Sequence, residues 1–182
     1  MQYDIDENDV ILHVDREWVE FAADNDASQL ASGAIIGTSI WQYFAGEEVQ
    51  QLYRQVFRQV RRLRLPASIP FRCDSPGKRR FLRLNVESLP ESGLRLTVVT
   101  EQIEDRPPVA LLDSNVCRNS EFIPICGWCK KIRLSDQTWV EVEDAANALR
   151  FFESPLPNLS HGICEDCSNQ LHTDLGNISF QK

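Results

Sequence analysis

Hydrophobic and polar positions follow two different periods along the first hundred residues. From residue 46 to the Leu65-Pro66 pair, apolar residues recur at steps of three and four, which predicts one long amphipathic helix. Beyond Pro66 the period changes to two, which predicts strands over residues 67–73 and 80–87. The helical stripe comprises Val49, Leu52, Tyr53, Val56, Val60 and Leu63. A third predicted strand carries on one face Leu94, Leu96 and Val98.

Short turns and two further apolar runs complete the pattern of this half. Turn-forming residues at 74–77 and 90–93 separate the three strands, so consecutive strands must run antiparallel. Nearer the N-terminus, the apolar runs at 10–14 and 18–21 predict two short strands, and the mixed stretch 22–46 predicts small helices and turns. The expected order is two strands, small helices, one long helix and a three-stranded meander.

A charged segment with two prolines marks a boundary between two parts of the chain. The run EDRPP at residues 104–108 disfavours both a helix and a central strand. We therefore divide the chain into a first domain at 1–102, a linker at 103–117 and a C-terminal unit at 118–182. That unit is poor in apolar residues, so we expect its small core to need an additional cross-link, such as a bound metal ion, for stability. Its main apolar stretches are 122–123, 139–140 and 151–152.

Charge and composition exclude several classes of function. The 182 residues carry 27 acidic and 19 basic groups, a net charge of −8, which disfavours general binding to nucleic acid or anionic membranes. No apolar run approaches the roughly 18 residues of a membrane span. The first nine residues hold four acids and no Lys or Arg, unlike the basic start of a secretory signal. We therefore expect a cytoplasmic protein.

Four of the six cysteines form two CxxC pairs, Cys126 with Cys129 and Cys164 with Cys167. In a reducing cytosol, clustered cysteines are more often metal ligands or redox groups than disulfides. Two residues between thiolates let both sulfurs reach one ion at about 2.3 Å, and two such turns supply four tetrahedral corners. The sequence therefore predicts a structural metal site, with Zn²⁺ as the metal.

The residues leave three other interpretations of this cluster open. His161 precedes Cys164 by three residues and can replace one cysteine as a ligand. Four thiolates also suit an iron–sulfur cluster. Cys126 and Cys129 can instead form a reactive dithiol pair, which would make the protein a thiol-disulfide oxidoreductase. Basic side chains that would offset four thiolates on Zn²⁺ directly follow the first pair, at Lys130, Lys131 and Arg133.

The remaining candidate residues carry weaker signals. His13 and Cys73 fall in predicted strands, where we expect ordinary packing roles, and Cys117 at the end of the linker has no assigned role. We find no Ser-His-Asp, HExxH or glycine-rich phosphate-loop pattern, so no enzyme activity is expected. The predicted long helix carries four arginines that either attract an anionic partner or form a solvated face paired with local acids. They are Arg54, Arg58, Arg61 and Arg62.

Several segments of residues 1–102 resemble a PAS domain. They are VILHVD at 10–15, WVEFAADN at 18–25, IGTSIW at 36–41 and PFRCDSP at 70–76. The resemblance implies a five-stranded antiparallel sheet covered on one face by helices, often with a small ligand between sheet and helices. It also implies a sensing or protein-association role. The ligand stays unknown, since residues 1–72 contain no cysteine for a flavin sensor and no histidine on the helical side for haem.

The cysteine pairs and their neighbours carry a second resemblance. ICGWCKKIR at 125–133, Trp139 and HGICEDC at 161–167 are similar to a short cysteine-rich segment at the ends of bacterial PAS-containing and response-regulator proteins. Glu165 stands where members of that family often have Pro. His161-Gly162 belongs to the same pattern, which gives His161 a possible role as donor of a hydrogen bond that orients a ligand.

Together these features predict an α+β protein. It has a PAS-like five-stranded antiparallel sheet with helices on one face, and a small zinc-binding C-terminal unit. The expected function is bacterial signal transduction by a sensing or interaction domain joined to structural zinc. Because the sequence carries no kinase, cyclase or DNA-reading segment, we expect output through contact with another signalling protein or through dimerisation. Neither nucleic acid nor a membrane is expected as a partner.

Overall fold

The computed structural model describes residues 1–24, 35–148 and 155–180. The first part of the chain forms five strands: β1 (Gln2–Ile5), β2 (Ile11–Val14), β3 (Ala67–Arg72), β4 (Lys78–Ser88) and β5 (Leu94–Asp105). They make one antiparallel sheet in the order β2-β1-β5-β4-β3. Helices α1 (Arg16–Asp24) and α2 (Glu47–Leu63) belong to the same part. The predicted α+β class and five-stranded antiparallel sheet are confirmed.

The predicted amphipathic helix is α2, and its predicted apolar stripe is buried in the core except at Leu63, which is half-buried. Val56, Phe57 and Val60 are fully buried, in one cluster with strand residues such as Leu84. The helix ends where Arg64 adopts a left-handed conformation with φ 58° and donates its N–H to Val60 O. The stripe and the end that the sequence pattern indicates are therefore both confirmed.

The prediction for the N-terminal segment is half wrong. Residues 11–14 form β2 as expected, whereas residues 18–21 lie in helix α1 and not in a strand. Asp15 explains the difference, because its Oδ1 accepts a hydrogen bond from the backbone N–H of Trp18 at 2.8 Å and so caps the helix. The second short strand is instead β1, in which every other residue is buried.

The second part of the chain forms a four-stranded sheet and two helices. Its strands are β6 (Arg118–Cys126), β7 (Ile132–Arg133), β8 (Trp139–Val140) and β9 (Leu156–Gly162). They lie in the order β8-β7-β6-β9, with β6 and β9 parallel. The helices are α3 (Val142–Ala148) and α4 (Glu165–Phe180). A small apolar core belongs to this part: Val109, Leu111, Ile125, Ile132, Val142, Ala145 and Leu156. Leu171 of α4 lies instead in the larger core of the first part.

Part of the predicted linker has regular structure. Its first three residues extend β5 to Asp105, and Ala110–Leu112 form a 3₁₀ helix. Within the described ranges, no helix is long and apolar enough to cross a membrane. Two predictions lie outside the described residues, namely part of the small helices expected over 22–46 and the apolar stretch 151–152.

Buried ion pairs join the two sheets. Asp74 is fully buried and pairs with both Arg72 and Arg106. The same guanidinium groups reach the second part of the chain, since Arg72 Nη1 lies 2.8 Å from Glu141 Oε2 and Arg106 Nη1 lies 2.8 Å from Glu143 Oε1. Burial lowers the pKa of Arg72, but its hydrogen bonds to Asp74 and Glu141 more than offset this, so the pKa lies above its ordinary value.

Arg106→Met tests the contribution of this buried network. We expect the variant to lose about 3–5 kcal/mol of unfolding free energy, because the buried carboxylate of Asp74 keeps only one cationic partner. Arg83→Met is the control, since Arg83 pairs with Glu101 where both side chains are exposed, and it should lose less than about 1 kcal/mol. Urea denaturation followed by circular dichroism measures both losses. Equal losses would contradict a special role for the buried network.

Candidate metal centre

The structure brings together the four cysteines predicted as metal ligands. The sulfurs of Cys126, Cys129, Cys164 and Cys167 all lie within 4.8 Å of one another, and Cys129 Sγ lies 3.7 Å from Cys164 Sγ. Four sulfurs placed tetrahedrally at about 2.3 Å from one ion are about 3.8 Å apart. A disulfide would need about 2.05 Å, and all six cysteines of the chain are free. The spacing therefore suits a shared metal ion.

The first CxxC pair lies on a tight turn between two strands. Cys126 ends β6, its backbone N–H donates to Lys131 O at 2.8 Å, and its carbonyl accepts from Lys130 N at 3.0 Å. Lys130 adopts a left-handed backbone conformation with a φ of 63°, which reverses the chain direction between β6 and β7. Its Nζ donates to Gly127 O at 2.7 Å. These bonds close the turn, and none of them involves a sulfur.

The second CxxC pair lies at the start of a helix. Cys164 directly precedes α4, and Cys167 lies in its first turn. The partial positive charge of a helix N-terminus stabilises thiolates. Strand β9 places this pair beside the first pair, because it runs parallel to β6 with Gly162 opposite Cys126. Two bonds hold the pairs together: Gly127 N–H donates to Gly162 O at 2.8 Å, and Cys164 N–H donates to Cys126 Sγ at 3.4 Å.

The thiols of Cys126, Cys129 and Cys167 do not ionise independently. Hydrogen bonds from Cys129 and Cys167 hold the pKa of Cys126 far below its ordinary value. The hydrogen bond to Cys126 in turn raises the pKa of Cys129 to about 12, and the same contact raises that of Cys167. Four thiolates this close repel one another, and a divalent cation offsets that repulsion. Metal uptake must therefore release protons from the raised thiols.

The other residues singled out in the sequence lie outside this cluster. The group of convergent ligand atoms found among the described residues holds the four cysteines and no histidine. His161 lies in β9 opposite Ile125, with an exposed side chain, and its hydrogen-bonding role stays a prediction. Cys117 and His13 are exposed, and Cys73 is half-buried beside the larger core.

Trp128 docks the cysteine centre on the first sheet, a role that the sequence analysis missed. Its ring lies 4.8 Å from that of Tyr53 in α2, and its Nε1 donates to Pro70 O at 2.7 Å. Its carbonyl accepts from Arg72 N at 2.8 Å, so the turn pairs with the edge of β3. The only sequence signal for this contact is a tryptophan between two ligands, where ligation itself requires no large side chain.

Helix α2 also approaches the cysteine centre through its first turn. A Cβ on Gly127 would lie 2.6 Å from Val49 Cγ2, so the close packing of helix and turn needs glycine at this position. Glu48 Oε2 accepts a hydrogen bond from the backbone N–H of Ile163 at 3.2 Å, one residue before Cys164. The same helix therefore contacts the segments that carry both CxxC pairs.

A cavity of about 240 Å³ lies beside the cysteines, between the first sheet and α4. Ile69 and Leu82 contribute from the sheet, and Leu171 contributes from α4. Cys129 and Cys167 form part of the same wall, next to Trp128. A molecule in this cavity would touch the sheet and two of the four candidate ligands at once.

The centre thus combines four convergent sulfurs, a helix N-terminus and an indole that docks on the neighbouring sheet. Comparison of the chain with protein-family models, with curated proteins and with solved structures gives no match. What the protein does must therefore be inferred from its own residues and their geometry.

Elemental analysis tests the metal centre directly. We expect one metal ion per chain in the purified protein, and four additional reactive thiols after chelation. Cys167→Ser should lose the metal, because a hydroxyl is a poor replacement for a thiolate ligand. Cys117→Ser should keep it, because Cys117 is exposed and lies outside the cluster. Equal metal content in both variants would contradict the proposed ligand set.

Trp128→Ala tests the docking contact. We expect it to lower the free energy of unfolding by about 3–5 kcal/mol, as for other buried aromatic residues, while the metal content stays at one ion per chain. Trp128→Phe keeps an aromatic ring but loses the hydrogen bond to Pro70 O, so its loss should be smaller. Chemical denaturation and elemental analysis of the two variants decide the matter. Loss of metal in Trp128→Phe would show that the indole shapes the centre itself.

Proposed function

We propose that this protein is a bacterial signal-transduction module in which a PAS-like sensing or interaction unit, residues 1–102, acts together with a zinc centre in residues 118–182. The five-stranded antiparallel sheet and its helices support the PAS-like part. The contact between Trp128 and Tyr53 carries the proposal of joint action. Because Trp128 lies between two ligands, a change at the metal that shifts the turn would act on a residue in the core of the sensing unit.

Zinc is the metal that we propose for the four sulfurs. Zn²⁺ favours tetrahedral sites, and a complete set of four cysteines leaves no coordination position open for a substrate. Cys126 and Cys164 are buried, as expected of a closed structural site. Bound there, zinc would supply cross-linking and no reaction chemistry. In small zinc domains this binding contributes roughly 10–16 kcal/mol to folding, which suits a unit with so small an apolar core.

A small apolar ligand in the cavity beside the cysteines is the signal that we propose. Such a ligand would contact Ile69 and Leu82 on the sheet and Trp128 on the cysteine turn. A ligand that binds one arrangement of sheet and turn better than another shifts the population toward it. The output would be a changed surface for another signalling protein in the cytoplasm or for a second copy of this chain. Neither nucleic acid nor a membrane is needed.

A thiol-disulfide oxidoreductase is the second candidate function. The sulfurs of its proposed pair, Cys126 and Cys129, lie within 4.8 Å of each other, so a movement of less than about 3 Å would bring them to bonding distance. Two features weigh against it. Reactive cysteines are partly exposed, whereas Cys126 is fully buried, and its pair lies on a turn that leads into strand β7. An iron–sulfur cluster, the third possibility, would colour the protein brown.

Naphthalene is a suitable probe of the proposed sensing role, since it is apolar and compact enough for the cavity. The measurement is the rate at which a chromogenic chelator removes zinc from the full-length protein. A ligand specific for the docked arrangement should slow this release about threefold at twice its Kd. Leu171→Phe, which fills the cavity, should abolish the effect. Ile103→Phe should not, because Ile103 is exposed on β5 and lies outside the cavity wall.

The possible outcomes separate the proposals. An unchanged release rate, or equal slowing in the Leu171→Phe variant, would refute the ligand-sensing mechanism and leave the zinc site in place. A metal-free protein whose Cys126 and Cys129 cycle between dithiol and disulfide would instead establish the oxidoreductase. Iron with a brown colour would establish the iron–sulfur alternative.

A further inference from the structure

The solvent face of α2 is unusually basic for an acidic protein. Residues 49–73 contain six arginines and no Asp or Glu, although the whole chain has a net charge of −8. The exposed positions of the helix after its first turn hold only arginine and glutamine. The usual i, i+4 pairing of Glu with Arg along a helix is therefore absent over residues 49–63. Any acid that pairs with these arginines must therefore come from another element, as Asp9 does for Arg54 and Arg61.

Four of these arginines converge on one concavity of about 440 Å³, which we call the arginine concavity. It is lined by Arg54, Arg58, Arg61 and Arg62, with Asp9 as its single acid. Four guanidinium groups and one carboxylate give it a net charge of +3. Guanidinium groups bind phosphate and carboxylate oxygens through paired hydrogen bonds.

Two of the arginines are held in place by the protein itself. Arg61 donates to Asp6 O at 2.7 Å and to Ser92 O at 2.8 Å, and it pairs with Asp9 at 2.8 Å. Arg54 lies with its guanidinium carbon 3.8 Å from the centre of the Trp41 ring. Asp9 is fixed in turn, because Trp41 Nε1 donates to its Oδ2. The concavity is therefore preorganised, and its one carboxylate is already engaged.

Among the residues that the structure describes, no carboxylate pairs with the other two arginines, Arg58 and Arg62. Within the described ranges, Arg54 and Arg61 are the arginines of this concavity that lie within 4 Å of a carboxylate, and both face Asp9. Arg62 donates to Gln59 Oε1, a neutral acceptor, and Arg58 is exposed. Two cations thus face one space from adjacent turns of a rigid helix, where their mutual repulsion is relieved by a bound anion.

We propose that the arginine concavity binds the phosphate groups of a small ligand carrying two or three linked phosphates. The charge of +3 matches such a chain better than a single carboxylate. A compact anion also fits four guanidinium groups gathered around one space, whereas an extended polyanion would meet the acidic remainder of the surface. This site is separate from the cysteine centre and does not depend on the function proposed for it.

Titration calorimetry with inorganic pyrophosphate and tripolyphosphate tests the proposal on the metal-loaded full-length protein. We expect one site per chain, tighter for tripolyphosphate than for pyrophosphate, and weaker as salt rises. Arg58→Gln and Arg62→Gln should each weaken binding at least about tenfold, since each removes a charge-assisted pair. Arg16→Gln is the matched control and should change nothing, because Arg16 is 91% exposed and pairs with Glu20 outside the concavity. Metal content measured after each titration excludes stripping of the metal by phosphate.

Titrations with two further ligands, ATP and an acidic peptide, identify the kind of molecule that supplies the negative charges. ATP that binds as tightly as tripolyphosphate supports recognition of the phosphate chain alone, and tighter ATP binding supports a nucleotide. No binding at millimolar concentration refutes the site. Equal weakening by Arg16→Gln and Arg58→Gln would reduce it to non-specific charge attraction. A ten-residue polyglutamate peptide that binds more tightly than tripolyphosphate would assign the concavity to an acidic protein segment instead.

Discussion

The packing of Trp128 against Tyr53 is the contact on which the relation between the two sheets depends. Trp128 lies in sequence between Cys126 and Cys129, so its docked indole helps to position the turn that carries two candidate metal ligands. Its Nε1 and its carbonyl both bond to β3, an edge strand whose unpaired groups would otherwise be open to other chains. The turn that carries Cys126 and Cys129 therefore also covers the open edge of the first sheet.

Two kinds of force stabilise this junction, and they respond to different conditions. The indole contact is largely apolar, and its own groups do not titrate in acid because burial raises the pKa of Tyr53 above its ordinary value. The buried ion network is sensitive to acid at Glu143, where burial raises the pKa but hydrogen bonds from the backbone and from Arg106 lower it below its ordinary value. A carboxylate with a lowered pKa stabilises the fold above its unfolded-state pKa, and this contribution is lost as pH falls through the folded-state value. Acid should therefore weaken the ion network before it affects the indole.

Local patterns in the sequence predict most of the first sheet and the set of candidate ligands. The stripe of α2 and the period-two strands are set by neighbouring residues, and the CxxC spacing is itself local. The misassigned segment at 18–21 depends on one capping bond from Asp15, which an apolar run cannot reveal. The parallel pairing of β6 with β9, and the docking of Trp128 on α2, join residues far apart in sequence. No periodicity encodes such contacts, because they are decided by the packing of whole elements.

Helix α2 links the two candidate sites, and this raises the question of whether they communicate. Its first turn contacts the cysteine turn through Val49, and the arginine concavity begins at Arg54, about 8 Å further along the helix axis. Proximity alone transmits nothing, because coupling requires an element with two arrangements that both ligands bias. A rigid 17-residue helix has one internal shape, so it can transmit a change only by shifting as a body. The cavity beside the cysteines is not lined by α2, but the indole that contacts α2 forms part of its wall. Any communication between the sites would therefore have to pass through the contact of α2 with Trp128.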